Sequence, residues 1–103
     1  MTVSNSGRNY LELEQLISSS CRRRIIRFLL TVHSANVMEL VRKVNSTYNQ
    51  VNANLLVLAK EDIVQEKHYG RVRLIKLNRE NPKTDLLLQA LKILNEYKLQ
   101  SKE

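Results

Sequence analysis

An uncharged, amide-rich stretch lies in the middle of an otherwise basic chain. Residues 47–59 contain no Asp, Glu, Lys or Arg, and they include the four amide side chains Asn49, Gln50, Asn52 and Asn54. An amide group carries both a donor and an acceptor, so it can pair with the edge of adenine in the major groove of duplex DNA. The alternative is a solvated polar face, but Asn is a mediocre helix former and brings no structural gain there. This composition favours contact with base edges.

The expected base-reading side chains share outward positions at the start of this stretch: Thr47, Tyr48, Asn49, Gln50, Asn52 and Ala53. Ala53 offers a small apolar surface that suits the methyl group of thymine. Asn54 lies closer to the packed side, where an internal hydrogen bond is the alternative. These six residues therefore form the predicted recognition surface.

The positive charge of the chain is concentrated around this stretch. The chain has 103 residues with 17 Lys or Arg and 10 Asp or Glu, which gives a net charge of +7. Residues 21–79 hold twelve basic and four acidic residues, whereas both ends are close to neutral. A basic surface that only maintains solubility would be spread more evenly, so a polyanionic partner facing the centre of the chain is favoured.

The predicted phosphate contacts come from the basic residues on either side of the stretch: Lys43, Lys67, His68, Arg71 and Arg73. Lys43 also stands at the end of a predicted helix, where a cation complements the helix dipole. Three interpretations are open for the arginines Arg22, Arg23, Arg24 and Arg27: they cap a dimer, they face DNA, or they form a solvated stripe. We expect the solvated stripe for at least two of them.

Other chemistries find little support in the sequence. A chain of this length excludes a two-domain enzyme with a cleft between its halves. The single Cys21 cannot form an internal disulfide, and His33 and His68 lack the spacing of metal ligands. There is no Gly-rich phosphate loop, signal-peptide core or long apolar run. We therefore expect no enzyme activity, cofactor, metal or membrane partner, and a cytoplasmic location.

Two short helices are predicted to position the amide-rich stretch. Four apolar residues recur at i, i+3, i+4 and i+7, as on one face of a helix: Val37, Leu40, Val41 and Val44. Asn45 follows, and Asn tolerates the left-handed conformation that ends helices. Thr47 and Gln50 have the spacing of a capping box, which begins the next helix. The order predicts a helix-turn-helix over residues 37–60.

The segments around this motif complete a single domain over residues 10–99, preceded by a flexible arm at 1–9. A helix is predicted from about 21 to 32. Two β-rich runs within 63–77 meet at Gly70 and Arg71, which predicts a hairpin.

Two terminal helices, 10–20 and 81–99, are more apolar than one small domain can cover, which predicts a homodimer. Their expected interface residues are Tyr10, Leu13, Leu16, Ile17, Leu87, Leu91, Leu94 and Tyr97.

Taken in chain order, the predicted helices and the hairpin resemble the winged helix-turn-helix domain of small ArsR-type and MarR-type transcription regulators. The resemblance covers 21–77 and rests on the helix 37–44, the turn 45–46, the helix 47–59 and the hairpin tip 70–71. It implies an α+β fold, mainly α, with a two-stranded β-hairpin wing and terminal dimerisation helices. It also implies a sequence-specific regulator that binds double-stranded DNA as a homodimer on a pseudo-palindromic site in the nucleoid.

The chain departs from the family pattern at three positions. Val41 stands where a small Ala is usual, and Asn45 and Asp62 stand where Gly is usual. Asn and Asp are the residues other than Gly that best tolerate a positive φ, so two of the departures conserve the backbone. Winged helix domains also serve as protein-interaction modules in larger complexes, which is the alternative function. Binding of structured RNA is a third, weaker one.

Overall fold

The computed structural model describes residues 12–101, which form five helices and one small sheet. In chain order the elements are α1 (Leu13–Leu16), α2 (Ser20–Thr31), β1 (Ala35–Asn36), α3 (Val37–Val44), α4 (Tyr48–Lys60), β2 (Val64–Tyr69), β3 (Val72–Leu77) and α5 (Pro82–Ser101). The helices α2, α3 and α4 pack on one another and on one face of the sheet around a single core.

The N-terminal helix is shorter than the sequence predicts. Instead of one helix over 10–20, α1 has four residues and α2 begins at Ser20. The hydroxyl of Ser18 donates to the carbonyl of Gln15 at 2.8 Å, and the hydroxyl of Ser19 accepts from the backbone N–H of Arg22 at 3.2 Å. Serine side chains compete in this way with the helical backbone bonds, so they end one helix and cap the next. Tyr10 lies outside the described residues.

The turn between α3 and α4 has the predicted backbone geometry. Asn45 ends α3 in the left-handed conformation, with φ 55° and ψ 50°. Thr47 and Gln50 form the reciprocal capping box: the Thr47 hydroxyl accepts from the Gln50 N–H at 3.1 Å, and the Gln50 Oε1 accepts from the Thr47 N–H at 3.4 Å. Both side chains therefore stabilise the first turn of α4. Asp62 also has a positive φ, 62°, just after α4.

The sheet has three antiparallel strands in the order β1-β3-β2, one more than the predicted hairpin. The added strand β1 has two residues, which pair with Leu74 and Ile75 of β3. Two residues are too few to show a period in the sequence. The hairpin itself turns through the two residues Gly70 and Arg71, and the φ of +61° at Gly70 suits the first loop position of a type II′ turn.

The two faces of the sheet differ in their surroundings. Val64, Ile75 and Leu77 are buried on the face that packs against the helices, called here the core face. Because side chains alternate along a strand, three polar residues share that face nearer the hairpin tip: Glu66, His68 and Arg73. The opposite face, called here the outer face, carries Gln65, Lys67, Tyr69, Leu74 and Lys76.

Two of the four α5 residues predicted at the dimer interface, Leu87 and Leu91, belong to the core of the chain instead. Leu87 and Leu91 are 0% and 2% exposed within the chain's own core. Leu16 of α1, another predicted interface residue, is also fully buried there, and Leu13 and Ile17 are half-buried against the same core. The exposed stripe of α5 is formed by Leu86 and Ile93, at 54% and 64%, with Leu94 at its edge. The side chain of Tyr97 lies outside the described part.

The start of α5 explains this orientation. The Asn81 side chain donates to the carbonyls of Glu61 and Asp62 at 3.2 and 3.0 Å, and its Oδ1 accepts from the Lys83 N–H at 3.0 Å. It therefore caps α5 and fastens it to the end of α4. This attachment fixes which side of α5 faces the core, and residue spacing alone does not specify it.

Candidate nucleic-acid interface

The solvent-facing side of α4 carries the predicted recognition surface. Val51, Leu55 and Leu58 are buried, so the helix presents its other side. The predicted residues on that side are exposed except for the half-buried Asn52: Thr47, Tyr48, Asn49, Gln50, Asn52 and Ala53. Leu56, which the sequence interpretation omitted, extends this side at 62% exposure, three residues after Ala53.

Two of the amide groups on α4 are available to an external partner. Among the described residues, neither Asn49 nor Asn52 forms a hydrogen bond through its side chain, whereas Gln50 is engaged in the capping box. Asn54 is internal, as its position near the packed side suggested. Its Nδ2 donates to the Gln50 carbonyl at 2.8 Å, and its Oδ1 accepts from Arg22 at 3.1 Å.

A cationic cleft lies between the start of α4, the start of α3 and the hairpin tip. Its lining includes Tyr48 together with Arg42 and Arg71, and its volume is about 400 Å³. Both arginines are exposed and have no ion pair with any residue that the structure describes. Lys43, the residue of α3 selected from the sequence, is exposed but does not line the cleft. Arg42 is therefore the cation of α3 that adjoins the amide side of α4.

Arg73 links the hairpin to α4. Its guanidinium binds both carboxylate oxygens of Glu66 at 2.5 and 3.1 Å and donates to the Tyr48 hydroxyl at 3.0 Å. The Nε2 of His68 lies 2.9 Å from the same carboxylate. The hydrogen bond from Arg73 lowers the pKa of Glu66 below its usual 4.5, against the opposing effect of burial, and the same bond raises the pKa of Arg73.

The predicted wing cations therefore do not form one cluster. Arg73 and His68 contact Glu66 on the core face, Arg71 stands at the tip, and Lys67 lies on the outer face. Since its charge is balanced by Glu66, Arg73 is better suited to hold the hairpin against α4 than to neutralise a phosphate. The register that places Glu66 diagonally across from Arg73 is the signal that would have identified this pair.

Three of the four arginines of α2, Arg22, Arg23 and Arg24, bind the ends of other helices, so the expectation of a solvated stripe is wrong for these three. Arg22 donates to the carbonyls of Leu16 and Gln15 at 3.1 and 2.8 Å, and to Asn54 on α4. Arg23 donates to the Ile17 carbonyl. Helix C-termini leave carbonyls without intrahelical partners, and arginines directly after a four-residue helix are placed to bind them.

Arg24 fastens the turn of the helix-turn-helix. Its Nε donates to the Val44 carbonyl at 2.9 Å, and its Nη2 donates to the Ser46 hydroxyl at 3.1 Å. Together with Arg22, it fixes both the start and the middle of α4 relative to α2. The sequence interpretation missed these positioning residues.

Within the described residues, no group of three or more His, Cys, Asp and Glu side chains could hold a metal ion. Cys21 is buried at the start of α2. In the same part of the chain, no helix has the length and apolar character needed to cross a membrane.

Comparison with solved structures identifies the architecture. The antimony-specific transcriptional repressor AntR matches with a TM-score of 0.69 and 18% identity, over 84% of this chain and 78% of that one. A homodimeric winged helix-turn-helix fragment of Mb0332 from Mycobacterium bovis, described as a possible ArsR-family regulator, matches with a TM-score of 0.68 and 15% identity, over 82% and 77% of the two chains. AF1382 from Archaeoglobus fulgidus matches with a TM-score of 0.66 and 18% identity, over 84% and 97%.

The fold is a winged helix-turn-helix. The predicted α+β class, mainly helical, is confirmed, and the fold is similar to that of solved structures described as ArsR-family regulators. No protein-family model matches the chain, and no curated protein matches it.

The link between Arg22 and Asn54 gives the first prediction. In urea unfolding, a double-mutant cycle of Arg22→Ala and Asn54→Ala should give a coupling of about 1 kcal/mol, because each side chain is the other's partner in a charge-assisted hydrogen bond. Arg27→Ala with Asn54→Ala is the matched control, since Arg27 lies on the same helix and has no hydrogen bond to Asn54. Equal coupling in the two cycles would show that the Arg22 contact does not hold α4.

The lowered pKa of Glu66 gives a prediction for acid stability. A carboxylate whose pKa is lower in the folded state stabilises that state above its unfolded pKa, and this contribution is lost as the pH falls through the folded pKa. Glu66→Gln should therefore cost about 1 kcal/mol at neutral pH and make unfolding less sensitive to pH below about 4.5.

Denaturant unfolding at a series of pH values measures this effect. Glu80→Gln removes an exposed carboxylate that has no ion pair with the described residues, so it is the control. A Glu66→Gln profile that runs parallel to the wild type through the acid range is the result that contradicts the assignment.

Proposed function

We propose that this chain is a transcription regulator that binds double-stranded DNA sequence-specifically as a homodimer. The observation that carries the proposal is the uncharged amide side of α4, which adjoins a cleft with two unpaired arginines, Arg42 and Arg71. Uncharged donors and acceptors suit base edges, whereas mobile cations suit phosphates. The similarity to AntR, a transcriptional repressor, and to Mb0332, a possible transcriptional regulator, supports the same function.

The proposed base contacts come from Asn49 and Asn52, whose amide groups have no internal partner. Each can pair bidentately with an adenine in the major groove. Ala53 supplies an apolar contact to a thymine methyl from the same side of α4. Thr47 and Gln50 hold the start of the helix, so their proposed role is to orient the neighbouring amides.

The proposed phosphate contacts come from the α3 end and the hairpin tip. Arg71 occupies the second loop position of the hairpin and is exposed, so it can follow the backbone or enter a minor groove. Arg42 and Lys43 approach the backbone from the other side of α4. Arg73 contributes by holding the hairpin in place through Glu66 and Tyr48.

The homodimer is proposed to form through the exposed stripe of α5. Leu86, Ile93 and Leu94 are large apolar side chains in contact with solvent, and they lie on the side of α5 that the core leaves free. The similar Mb0332 fragment is homodimeric, which supports this arrangement. A two-fold dimer presents its recognition helices about 34 Å apart, which fits a pseudo-palindromic site on DNA in the cytoplasm.

The DNA proposal predicts a steep salt dependence. Duplexes selected from a random pool should bind with an affinity that falls with salt by a log–log slope of about −0.9 per neutralised phosphate. Arg71→Ala should weaken every duplex alike and reduce the magnitude of this slope by about 1. Asn52→Ala should keep the slope but lose about 1–3 kcal/mol of preference for the selected sequence.

Fluorescence anisotropy at several salt concentrations measures both effects. Arg79→Ala and Asn95→Ala are the matched controls, because they remove an exposed cation and an exposed amide away from the cleft. The absence of micromolar binding at low salt would refute the DNA proposal. Identical behaviour of Arg71→Ala and Asn52→Ala would refute the division between phosphate and base contacts.

The dimer proposal predicts different effects for substitutions in the exposed and in the buried apolar stripe of α5. Ile93→Asp should yield a folded monomer, because it places a charge in the proposed interface without touching the core. Leu87→Ala should lower the free energy of unfolding by about 3 kcal/mol, since it opens a cavity in the core. Sedimentation and urea unfolding measure the two effects, with Lys92→Asp as a control for added charge on an exposed position of the same helix. A dimer that survives Ile93→Asp would exclude this interface.

A further inference from the structure

A groove crosses the outer face of the sheet, on the opposite side from α4. It consists of two adjoining cavities of about 240 and 290 Å³, which share His33, Gln65 and Lys76. We call it the outer groove and define it by the six residues that give it its character: Leu30, Lys67, Tyr69, Leu74, Lys76 and Arg79. None of these residues has a role in the cleft beside α4.

The cations of the outer groove have no internal partners. Lys67, Lys76 and Arg79 form no ion pair or side-chain hydrogen bond with any described residue. Gln65 stands opposite Lys76 in the strand register, and Lys67 follows two residues later on the same face. The two lysines are therefore diagonal neighbours across β2 and β3. Glu80 is the only acidic residue in the described lining. The groove is thus strongly electropositive.

Apolar side chains lie among these cations. Tyr69 is 59% exposed and Leu30 is 42% exposed, at opposite ends of the groove, with the half-buried Leu74 near Tyr69. A surface that only binds phosphates needs no exposed leucine or tyrosine. The combination suits a ligand that offers carboxylates and apolar groups together.

We propose that the outer groove docks an acidic segment of a partner protein, which carries both carboxylate and apolar side chains on the face that it turns to the sheet. An extended segment advances about 3.3 Å per residue, so about six residues would run the length of β3. Alternate side chains of such a segment point the same way, so those that face the sheet would include both kinds. Their apolar groups would contact Tyr69, Leu74 and Leu30, and their carboxylates would reach Lys67, Lys76 and Arg79.

The outer groove and the proposed DNA-binding surface lie on different sides of the sheet. Arg73 lies on the core face and donates a hydrogen bond to Tyr48 of α4, so α4 adjoins the core face. The outer groove therefore lies on the opposite side of the sheet from α4. A duplex that lies against α4 would leave the outer groove open, and both partners would bind at once. The inference does not depend on the proposed DNA binding.

Fluorescence anisotropy with a labelled synthetic peptide, which carries Glu together with Leu and Phe on the same face of an extended chain, tests the inference. The full chain should bind this peptide more tightly than a peptide in which Ser replaces Leu and Phe. Lys67→Glu and Lys76→Glu, made as separate variants, should each weaken binding severalfold, and Tyr69→Ser should weaken it severalfold. Arg42→Glu is the matched control, because it reverses an exposed charge in the cleft beside α4 and should leave peptide affinity unchanged.

The outcomes separate the alternatives. Weakening by the outer-groove variants, with no effect of Arg42→Glu, supports the inference. Equal binding of the two acidic peptides, or equal weakening by Arg42→Glu, would show that net charge alone attracts the peptide and would overturn it. Complete displacement of the peptide by a saturating duplex would assign the outer face to DNA and would also overturn it. A chain that binds the peptide but no duplex would refute only the proposed DNA binding.

Discussion

The arrangement of the whole domain depends on the guanidinium groups of α2. Short helices end with several carbonyls that have no partner, and this chain contains a four-residue helix and an eight-residue one. Arg22 binds the carbonyls of Gln15 and Leu16 at the end of α1, and Arg24 binds the Val44 carbonyl at the end of α3. Because Arg22 also binds Asn54, a single side chain connects α1, α2 and α4. The orientation of α4 is therefore set by polar contacts as well as by its buried leucines.

The sequence predicted those parts of the fold that depend on neighbouring residues. The apolar spacing of α3, the left-handed Asn45 and the capping box of Thr47 are local features, and each has the expected geometry. The extent of the N-terminal helix was predicted wrongly, because the hydroxyls of Ser18 and Ser19 bind nearby backbone groups at the end of α1 and the start of α2. The facing of α5 was predicted wrongly because it depends on contacts between residues distant in the chain, such as Asn81 with the end of α4. Two adjacent apolar stripes on one helix do not specify which of them faces the core.

The prediction of the candidate site from the sequence was limited in the same way. The residue types on α4 were sufficient to select its exposed side, since burial of one stripe leaves the other in solvent. The basic residues near the hairpin were harder to assign, because the strand register divides them between two faces and a tip. Lys67 and His68 are neighbours in the sequence but lie on opposite sides of the sheet. A count of local charge treats them as one cluster, whereas the alternation of a strand separates them.

The two-residue loop at the hairpin tip limits the conformational entropy that the hairpin loses when it binds a partner. Tyr69 and Val72 are paired in the sheet, so only Gly70 and Arg71 lie outside the ladder. A longer loop would sample many conformations in the free protein and would lose them against a partner, at a cost in affinity. With this loop, the backbone of Arg71 is already ordered before any contact forms, and only its side chain has rotamers left to restrict. The hairpin is thus a preorganised arm whose reach is fixed by the length of two strands.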